Sequence, residues 1–263
     1  MIRFVLMARR KAGMTLAEFS DYWRNEHGPL VASYQATLGM VRYCQTHRDV
    51  NAEGEDSGTP VRDARGGMTA PYDGVAEIWF KSEAAVSEAF STDAGRRASE
   101  ALIRDEESCI DLPSSPFWFA HEYPQVSSVH ERPVAKLKTG IVKALFPLRQ
   151  LPTMSVEEAQ RYWLTVHGPL IRSHAVARGA ICYQQVHRFD SVLLEPMREA
   201  RGTIAEPYIG HAEGWFDRLL PRSGPEADAA GRASLEDERN FIDWSRSTVW
   251  VGKELLFVDR NWD

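Results

Sequence analysis

Two histidines stand in the same local sequence and are the first candidates for chemistry. His27 lies in the segment YWRNEHGPL, and His167 lies in the related segment YWLTVHGPL, 140 positions later (167 minus 27). A histidine near the C-terminal end of a helix is drawn toward its charged form by the helix dipole and toward its neutral form by burial. We therefore predict that both transfer protons near neutral pH. The alternative is a core histidine that packs beside Trp23 and bonds a carbonyl freed at the proline.

A second pair, His47 and His187, follows each motif on a predicted strand. Each shares a strand face with Tyr43 or Tyr183, because residues four apart in a strand point to the same side. If that face lines a pocket, the pair can move protons or bind a phenol or a carbonyl. The alternative is a polar strand end that bonds the following loop.

Aromatic residues of the same motifs are predicted to bind the substrate, although the first tyrosine of each helix also suits packing. The predicted set is Tyr22, Trp23, Tyr43, Trp79, Tyr162, Trp163, Tyr183 and Trp215. Glu77 and Glu213 lie in mid-strand between apolar neighbours. We expect them to pair with arginines, for which Arg42, Arg48 and Arg188 are the candidates.

The repeated motif indicates one unit duplicated and fused. Residues 19–48 match 159–188 without a gap, and shorter matches continue to the end of each half. We predict a first domain over 1–123, a linker over 124–138 and a second domain over 139–263. The second copy has lost polar residues beside its histidine, since Arg24 and Glu26 become Leu164 and Val166. We therefore expect one working pocket, or two with different ligands, and we favour the first half.

Each half reads as strand, helix, strand, strand, helix, strand. In the first half the strands are predicted at 2–9, 40–48, 74–80 and 116–123, and in the second at 140–149, 180–188, 210–216 and 247–257. Thr15 and Ser155 are predicted helix caps, each with a glutamate three positions on. The Gly-Pro step should end or kink the first helix at His27, and the helix should resume over 30–38. The fold class is α+β: two tandem ferredoxin-like βαββαβ domains, packed sheet to sheet as an intramolecular dimeric α/β barrel.

With these motifs in hand, the sequence resembles the EthD family of the dimeric α/β barrel superfamily. The residues that carry the resemblance are Phe19, the Tyr22-Trp23 and His27-Gly28-Pro29-Leu30 pieces of the helix, and the strand DGVAEIWF over 73–80. The resemblance implies a small-molecule pocket between sheet and helices, with the helix histidine as a functional residue. Relatives in the superfamily include cyclases, cofactor-free oxygenases, isomerases and haem-handling enzymes.

The amino-acid composition argues against several classes of binding partner. A net charge of −6 argues against nucleic acid or an anionic membrane, and no run of apolar residues is long enough to span a bilayer. Three scattered cysteines suggest a reducing, cytoplasmic location and no zinc site. No metal-ligand spacing, nucleotide-binding motif or serine-hydrolase motif is present. We expect no metal and no cofactor, with haem as the alternative because one histidine in an apolar pocket suffices for it.

Two functions remain. The first is a cofactor-independent enzyme of the lyase or dehydratase, cyclase or isomerase type, which uses histidine acid–base catalysis on a hydrophobic aromatic or carbonyl compound. The second is a non-catalytic accessory protein that holds a hydrophobic metabolite, or haem, in an oxygenase-dependent degradation pathway. A homodimer of the pseudo-dimeric monomer is compatible with either.

Overall fold

The computed structural model describes residues 1–51, 53–127 and 135–259. Its strands are β1 (Ile2–Ala8), β2 (Met40–Arg48), β3 (Gly74–Phe80), β4 (Phe117–Ser127), β5 (Ile141–Leu148), β6 (Ala180–Phe189), β7 (Gly210–Asp217) and β8 (Trp250–Asp259). Its α-helices are α1 (Leu16–Tyr22), α2 (Gly28–Ser33), α3 (Gln35–Leu38), α4 (Thr59–Asp63), α5 (Glu83–Ser91), α6 (Asp93–Cys109), α7 (Val156–Tyr162), α8 (Gly168–Arg178), α9 (Leu194–Arg201) and α10 (Pro225–Glu238). Short 3₁₀ turns cover Leu112–Ser114 and Trp244–Arg246.

The strands form one closed antiparallel barrel in the order β1-β3-β2-β8-β5-β7-β6-β4. The predicted α+β barrel is confirmed, but its closure differs from the expected face-to-face packing of two sheets. β2 of the first half hydrogen-bonds β8 of the second, and β4 hydrogen-bonds β6. Each pairing satisfies backbone groups that a separate sheet would leave open at its edge.

β4 is longer than predicted and runs into the proposed linker as far as Ser127. Its added residues extend the ladder with β6, which reaches from Phe119–Phe189 to Ser127–Cys182. Residues 128–134 of the proposed linker lie outside the described residues. Beyond them, the Ala135 carbonyl accepts from the Glu254 N–H on β8 at 2.8 Å, and the Ala135 N–H donates to the Glu254 carboxylate at 2.7 Å.

The helix that carries each histidine does not end at that residue but continues through a π-helical turn, and in the first half it resumes as α2 and α3, as predicted for 30–38. These turns cover Trp23–His27 and Trp163–His167, and each joins directly to a helix whose second residue is the proline. Pro29 has no N–H to continue the regular ladder, and the wider π turn accommodates this without breaking the helix. The Gly28 N–H instead bonds the Trp23 carbonyl, five residues back.

Both helix starts are capped as predicted. Thr15 and Glu18, and Ser155 and Glu158, form reciprocal capping boxes. The first helical segment ends at Gly39, whose φ of 67° is left-handed and favours glycine. No helix within the described ranges is both long and apolar enough to cross a membrane.

The barrel interior holds a buried ionic network as well as apolar residues. Glu77 pairs with Arg3 and with Lys143, the latter at 2.6 Å, and Glu213 pairs with the same two cations. The expected pairing of these glutamates with Arg42, Arg48 or Arg188 is wrong, because the side chains point into the barrel, where Arg3 and Lys143 also point. Burial raises the pKa of Glu213, but the two cations outweigh burial and hold that pKa well below its usual range.

Candidate functional site

The first histidine is held by an aspartate that the sequence reasoning missed. His27 is buried, and its Nδ1 lies 2.6 Å from Oδ2 of Asp105 on α6. The Tyr22 hydroxyl donates to the other oxygen of that carboxylate at 2.7 Å. Burial raises the pKa of Asp105, but the hydrogen bonds from His27 and Tyr22 outweigh it and lower the pKa. Asp105 is therefore a carboxylate that fixes the orientation of the imidazole.

The second half repeats this arrangement. His167 Nδ1 lies 2.7 Å from Oδ2 of Asp237, and the Tyr162 hydroxyl donates to Oδ1 of the same residue at 2.8 Å. Burial lowers the pKa of His167 and the hydrogen bond to Asp237 raises it, with a net lowering. The imidazole is thus neutral at neutral pH.

A signal for both aspartates was present in the sequence. Asp105-Glu106 and Asp237-Glu238 are identical dipeptides 132 positions apart, the spacing that also relates Trp118 to Trp250. What the sequence could not show is that α6 and α10 bring these carboxylates against the histidines.

The hydrogen bond at Nδ1 determines what the other ring nitrogen can do. When Nδ1–H donates to a carboxylate, Nε2 carries the lone pair and accepts a proton. In both His27 and His167, Nε2 forms no hydrogen bond with any described residue, and both rings line cavities between the barrel and its helices. Each half therefore places one potential base at a cavity wall.

His47 and His187 lie elsewhere. His47 Nε2 bonds Gln45 Oε1 at 2.8 Å, and the ring packs on Trp23. His187 makes the same bond to Gln185 at 2.9 Å and stacks on Trp163. Burial lowers the pKa of each to about 3. Neither lines the cavity of its half, so this placement suits packing and gives no geometric support to the predicted proton transfer.

The glutamine between tyrosine and histidine explains the spacing of that strand motif. Gln45 Nε2 donates to the Trp23 carbonyl at 2.9 Å and to the Tyr43 hydroxyl at 2.6 Å. The carbonyl inside the π turn is thus bonded by a glutamine and not by the histidine that we considered.

The predicted substrate-binding aromatics divide into three groups. Those that line the cavities are Tyr43, Tyr183 and Trp163. Those outside the cavity linings and near the histidine motifs are Tyr22 and Tyr162, which donate to the aspartates, and Trp23, which packs on Phe19 and His47. Trp79 and Trp215 point into the barrel, where their indole N–H groups bond Glu122 and Glu254 at 2.9 Å, so the structure does not bring them together with the histidines.

The two cavities differ in size. The cavity beside His27, the first cavity, has a volume of about 50 Å³, and the cavity beside His167, the second cavity, has about 170 Å³. An apolar cavity of about 150 Å³ holds benzene, whereas a single water occupies about 30 Å³. In this structure the second cavity has room for one ring and the first does not.

Side-chain replacements between the halves account for the difference. Large residues that line the first cavity are replaced by smaller ones at the corresponding strand and helix positions of the second. The pairs are Phe4 and Ala144, Met40 and Ala180, Ile78 and Gly214, Leu102 and Ser234, and Phe119 and Val251. The first cavity is also lined by Val86 and Phe90 of α5. In the second half the corresponding stretch between β7 and α10 contains no helix.

The preference for the first half rested on the charged neighbours of His27. Glu26 is exposed, Arg24 is only half-buried, and neither lines the first cavity. These two residues therefore give no support to the preference for the first half. Of the two cavities beside the helix histidines, the larger lies in the second half.

Each cavity receives an arginine from the other half. Arg65, in the loop that follows α4, enters the second cavity and bonds both carboxylate oxygens of Glu238, at 2.7 and 2.5 Å. Arg201, at the end of α9, enters the first cavity and bonds Glu106 at 2.8 and 3.1 Å. Both cavities are therefore built by the two halves together.

Among the residues that the structure describes, two groups of side chains have the composition of metal ligands, and both lie in the barrel. They are Glu77 with His211 and Glu213, and Cys44 with Glu77 and Glu254. Arg3 and Lys143 already pair with these carboxylates. The cation positions among them are thus taken by protein side chains.

Fold and site together define an α/β barrel protein with helix-side cavities, each walled by a histidine that an aspartate orients. The EthD domain model matches residues 11–113 and 151–245, more than half of the chain, and the protein belongs to the EthD domain family. No protein with a curated description matches it.

Two solved structures are similar over almost their whole length. One is a "putative monooxygenase" from Lactobacillus acidophilus NCFM, with 11% identity, a TM-score of 0.45 and coverage of 97% of this chain and 94% of that one. The other is a "putative monooxygenase" from Fusobacterium nucleatum subsp. nucleatum ATCC 25586, with 6% identity, a TM-score of 0.47 and coverage of 97% and 92%. At these values neither structure informs the activity.

Proposed function

We propose that the protein is a cofactor-independent enzyme of the lyase, cyclase or isomerase type, in which His167 transfers a proton on a one-ring aromatic or carbonyl compound. The observation that carries the proposal is the open Nε2 of a neutral, aspartate-oriented histidine at the wall of an apolar cavity. A general base needs its lone pair directed at the substrate and a partner that stabilises the imidazolium. Asp237 would be that partner.

The proton step follows from this geometry. Nε2 takes a proton from a carbon beside a carbonyl, or from a phenol, and becomes an imidazolium bonded to Asp237. The same proton then returns to another atom of the substrate, or to a departing hydroxide that leaves as water. Tyr183 would bind the substrate oxygen, because its hydroxyl accepts from Trp163 Nε1 at 3.1 Å and keeps its own proton to donate. Burial raises the pKa of Tyr183 to about 12, so that proton is retained.

The organisation of the chain fits a duplicated unit. Within the barrel each half has the order fourth, first, third and second strand. We propose that the halves are two ferredoxin-like domains whose edges have joined, and that only the second retains a cavity of ligand size.

The alternative, a non-catalytic accessory protein, is supported by the apolar lining of the second cavity, which suits holding a hydrophobic metabolite without reaction. Haem is a poor candidate for that role, because it is much larger than the single ring that about 150 Å³ accommodates.

Replacing each histidine separately tests the proposal. His167→Gln should lower turnover of a one-ring substrate by about 10²- to 10⁴-fold with little change in ligand affinity. His27→Gln is the matched control, and it should leave turnover within about threefold of wild type because the first cavity holds no ring. Turnover that survives His167→Gln would remove the acid–base assignment. Ligand binding without turnover in the wild type, across a panel of phenols and ring ketones, would favour the accessory role.

A further inference from the structure

The second cavity has one more arginine in its lining than the first has. Its wall includes Arg178, the last residue of α8, whereas the corresponding position of the first half is Leu38, a buried apolar residue. The difference is specific to the side chain, because both residues precede the left-handed glycine that ends the helix, Gly39 or Gly179.

The other charges of this wall are already neutralised. Both oxygens of Glu238 accept hydrogen bonds from Arg65, and one also accepts from the Trp244 indole at 3.1 Å. Glu213 is paired with Lys143 at 2.7 Å and with Arg3 inside the barrel. His167 is held neutral by burial, which lowers its pKa despite Asp237.

Arg178 itself forms no hydrogen bond and no ion pair with the described residues. Its side chain is exposed, and it reaches a cavity whose lining is mostly apolar. A guanidinium is planar and binds a carboxylate through two parallel N–H bonds. The Glu238 carboxylate acts on Arg178 through its charge but does not bond it, since that carboxylate is bonded to Arg65. The cavity thus combines room for one ring with one guanidinium whose hydrogen-bond donors are not used by the described residues.

We propose that the ligand of the second cavity is a one-ring carboxylate, with its ring between Ala144, Gly214 and Val251 and its carboxylate bound by Arg178. This names the substrate class of the proposed enzyme and rests on that proposal only for the reaction, since binding is measured separately from turnover. Arg178 is a specificity residue here and takes no part in proton transfer.

Calorimetry on the full chain with benzoate and with benzyl alcohol tests the inference. The two probes share a ring and differ in charge. Wild type should bind benzoate at least about tenfold more tightly than the alcohol, because a hydrogen bond to a charged group is typically worth a 10- to 100-fold change in affinity. Arg178→Leu introduces the residue of the first half. It should weaken the binding of benzoate by that factor while changing the affinity for benzyl alcohol less than about threefold. Arg178→Lys keeps the charge and should fall between.

Equal binding of the two probes by wild type would overturn the inference, as would an equal weakening of both by Arg178→Leu or no binding of either. Thermal melting of both variants checks that they fold, and Arg178→Lys keeps the inference testable if the leucine variant does not. These outcomes are independent of the proposed reaction: a His167→Gln variant with full turnover would refute the proton-transfer role and leave the carboxylate preference as measured.

Discussion

Filling the second cavity should remove function without removing stability. Ala144→Phe introduces the residue that the first half carries at this position as Phe4. The two cavities differ by about 120 Å³ (170 minus 50). At about 24 cal/mol for each Å³ of cavity, filling that difference is worth at most about 3 kcal/mol. Strain from added atoms in a packed site costs about 1–3 kcal/mol, so we expect the free energy of unfolding to lie between its wild-type value and about 2 kcal/mol above it.

The assay pairs urea unfolding with ligand binding and turnover. The filled variant should lose at least about 100-fold in affinity for a one-ring ligand, because the remaining space resembles the first cavity. Ser234→Leu, which mirrors Leu102, closes the same cavity from α10 and serves as a second variant if the first does not fold. The reverse change, Phe4→Ala, should cost about 3–5 kcal/mol of stability and leave turnover intact. A folded Ala144→Phe protein with wild-type turnover would refute the assignment of function to this cavity.

Three further predictions concern the residues around the cavities. Asp237→Asn should lower turnover by about 10²- to 10⁴-fold, because it removes the partner that sets the histidine tautomer, while Asp105→Asn should change turnover less than about threefold in the same steady-state assay. His47 and His187 have folded pKa values of about 3, below the unfolded value, so stability is full above about pH 6.5 and falls as the pH drops toward 3. Each histidine contributes about 3 kcal/mol of this loss by pH 4. Glutamine at either position should therefore reduce the fall in the free energy of unfolding between pH 6.5 and 4, measured by urea denaturation, by about 3 kcal/mol. An unchanged fall would contradict the burial argument. Arg65→Met leaves its buried carboxylate partner unpaired and should cost about 3–5 kcal/mol by urea unfolding, a loss that a fully hydrated pair would not show.

Because the sequence repeats, much of the fold could be predicted from it. Strand positions, both capping boxes and the position of each histidine follow from local patterns that tertiary packing did not override. The sequence predicted an end or a kink at His27 and a helix that resumes beyond it, but not the π turn. A proline after a glycine shows that a backbone N–H is lost, and it does not show how the helix accommodates that loss. Closure of the barrel by β2–β8 and β4–β6 pairing depends on contacts between the halves, for which local patterns carry no signal.

Less of the candidate site than of the fold could be predicted from the sequence. The histidine of each helix motif lines a cavity, but the aspartate that orients it comes from α6 or α10, far away in sequence. The repeated Asp-Glu dipeptide shows that the two positions correspond, but it does not show that the aspartate contacts the histidine. Arg65 and Arg201 cross between the halves, which a comparison of the two copies alone does not show. The cavity sizes were in principle readable, since replacements such as Phe4 by Ala144 appear when the halves are aligned.

A crystal structure of the full chain with a bound one-ring ligand tests the central claim most directly. Our account predicts electron density for the ring in the second cavity, with a substrate atom about 3 Å from His167 Nε2, the reach of a general base. It predicts no density for a ring beside His27. A ligand in the first cavity or inside the barrel, or a ligand in the second cavity that leaves His167 Nε2 without contact, would contradict it.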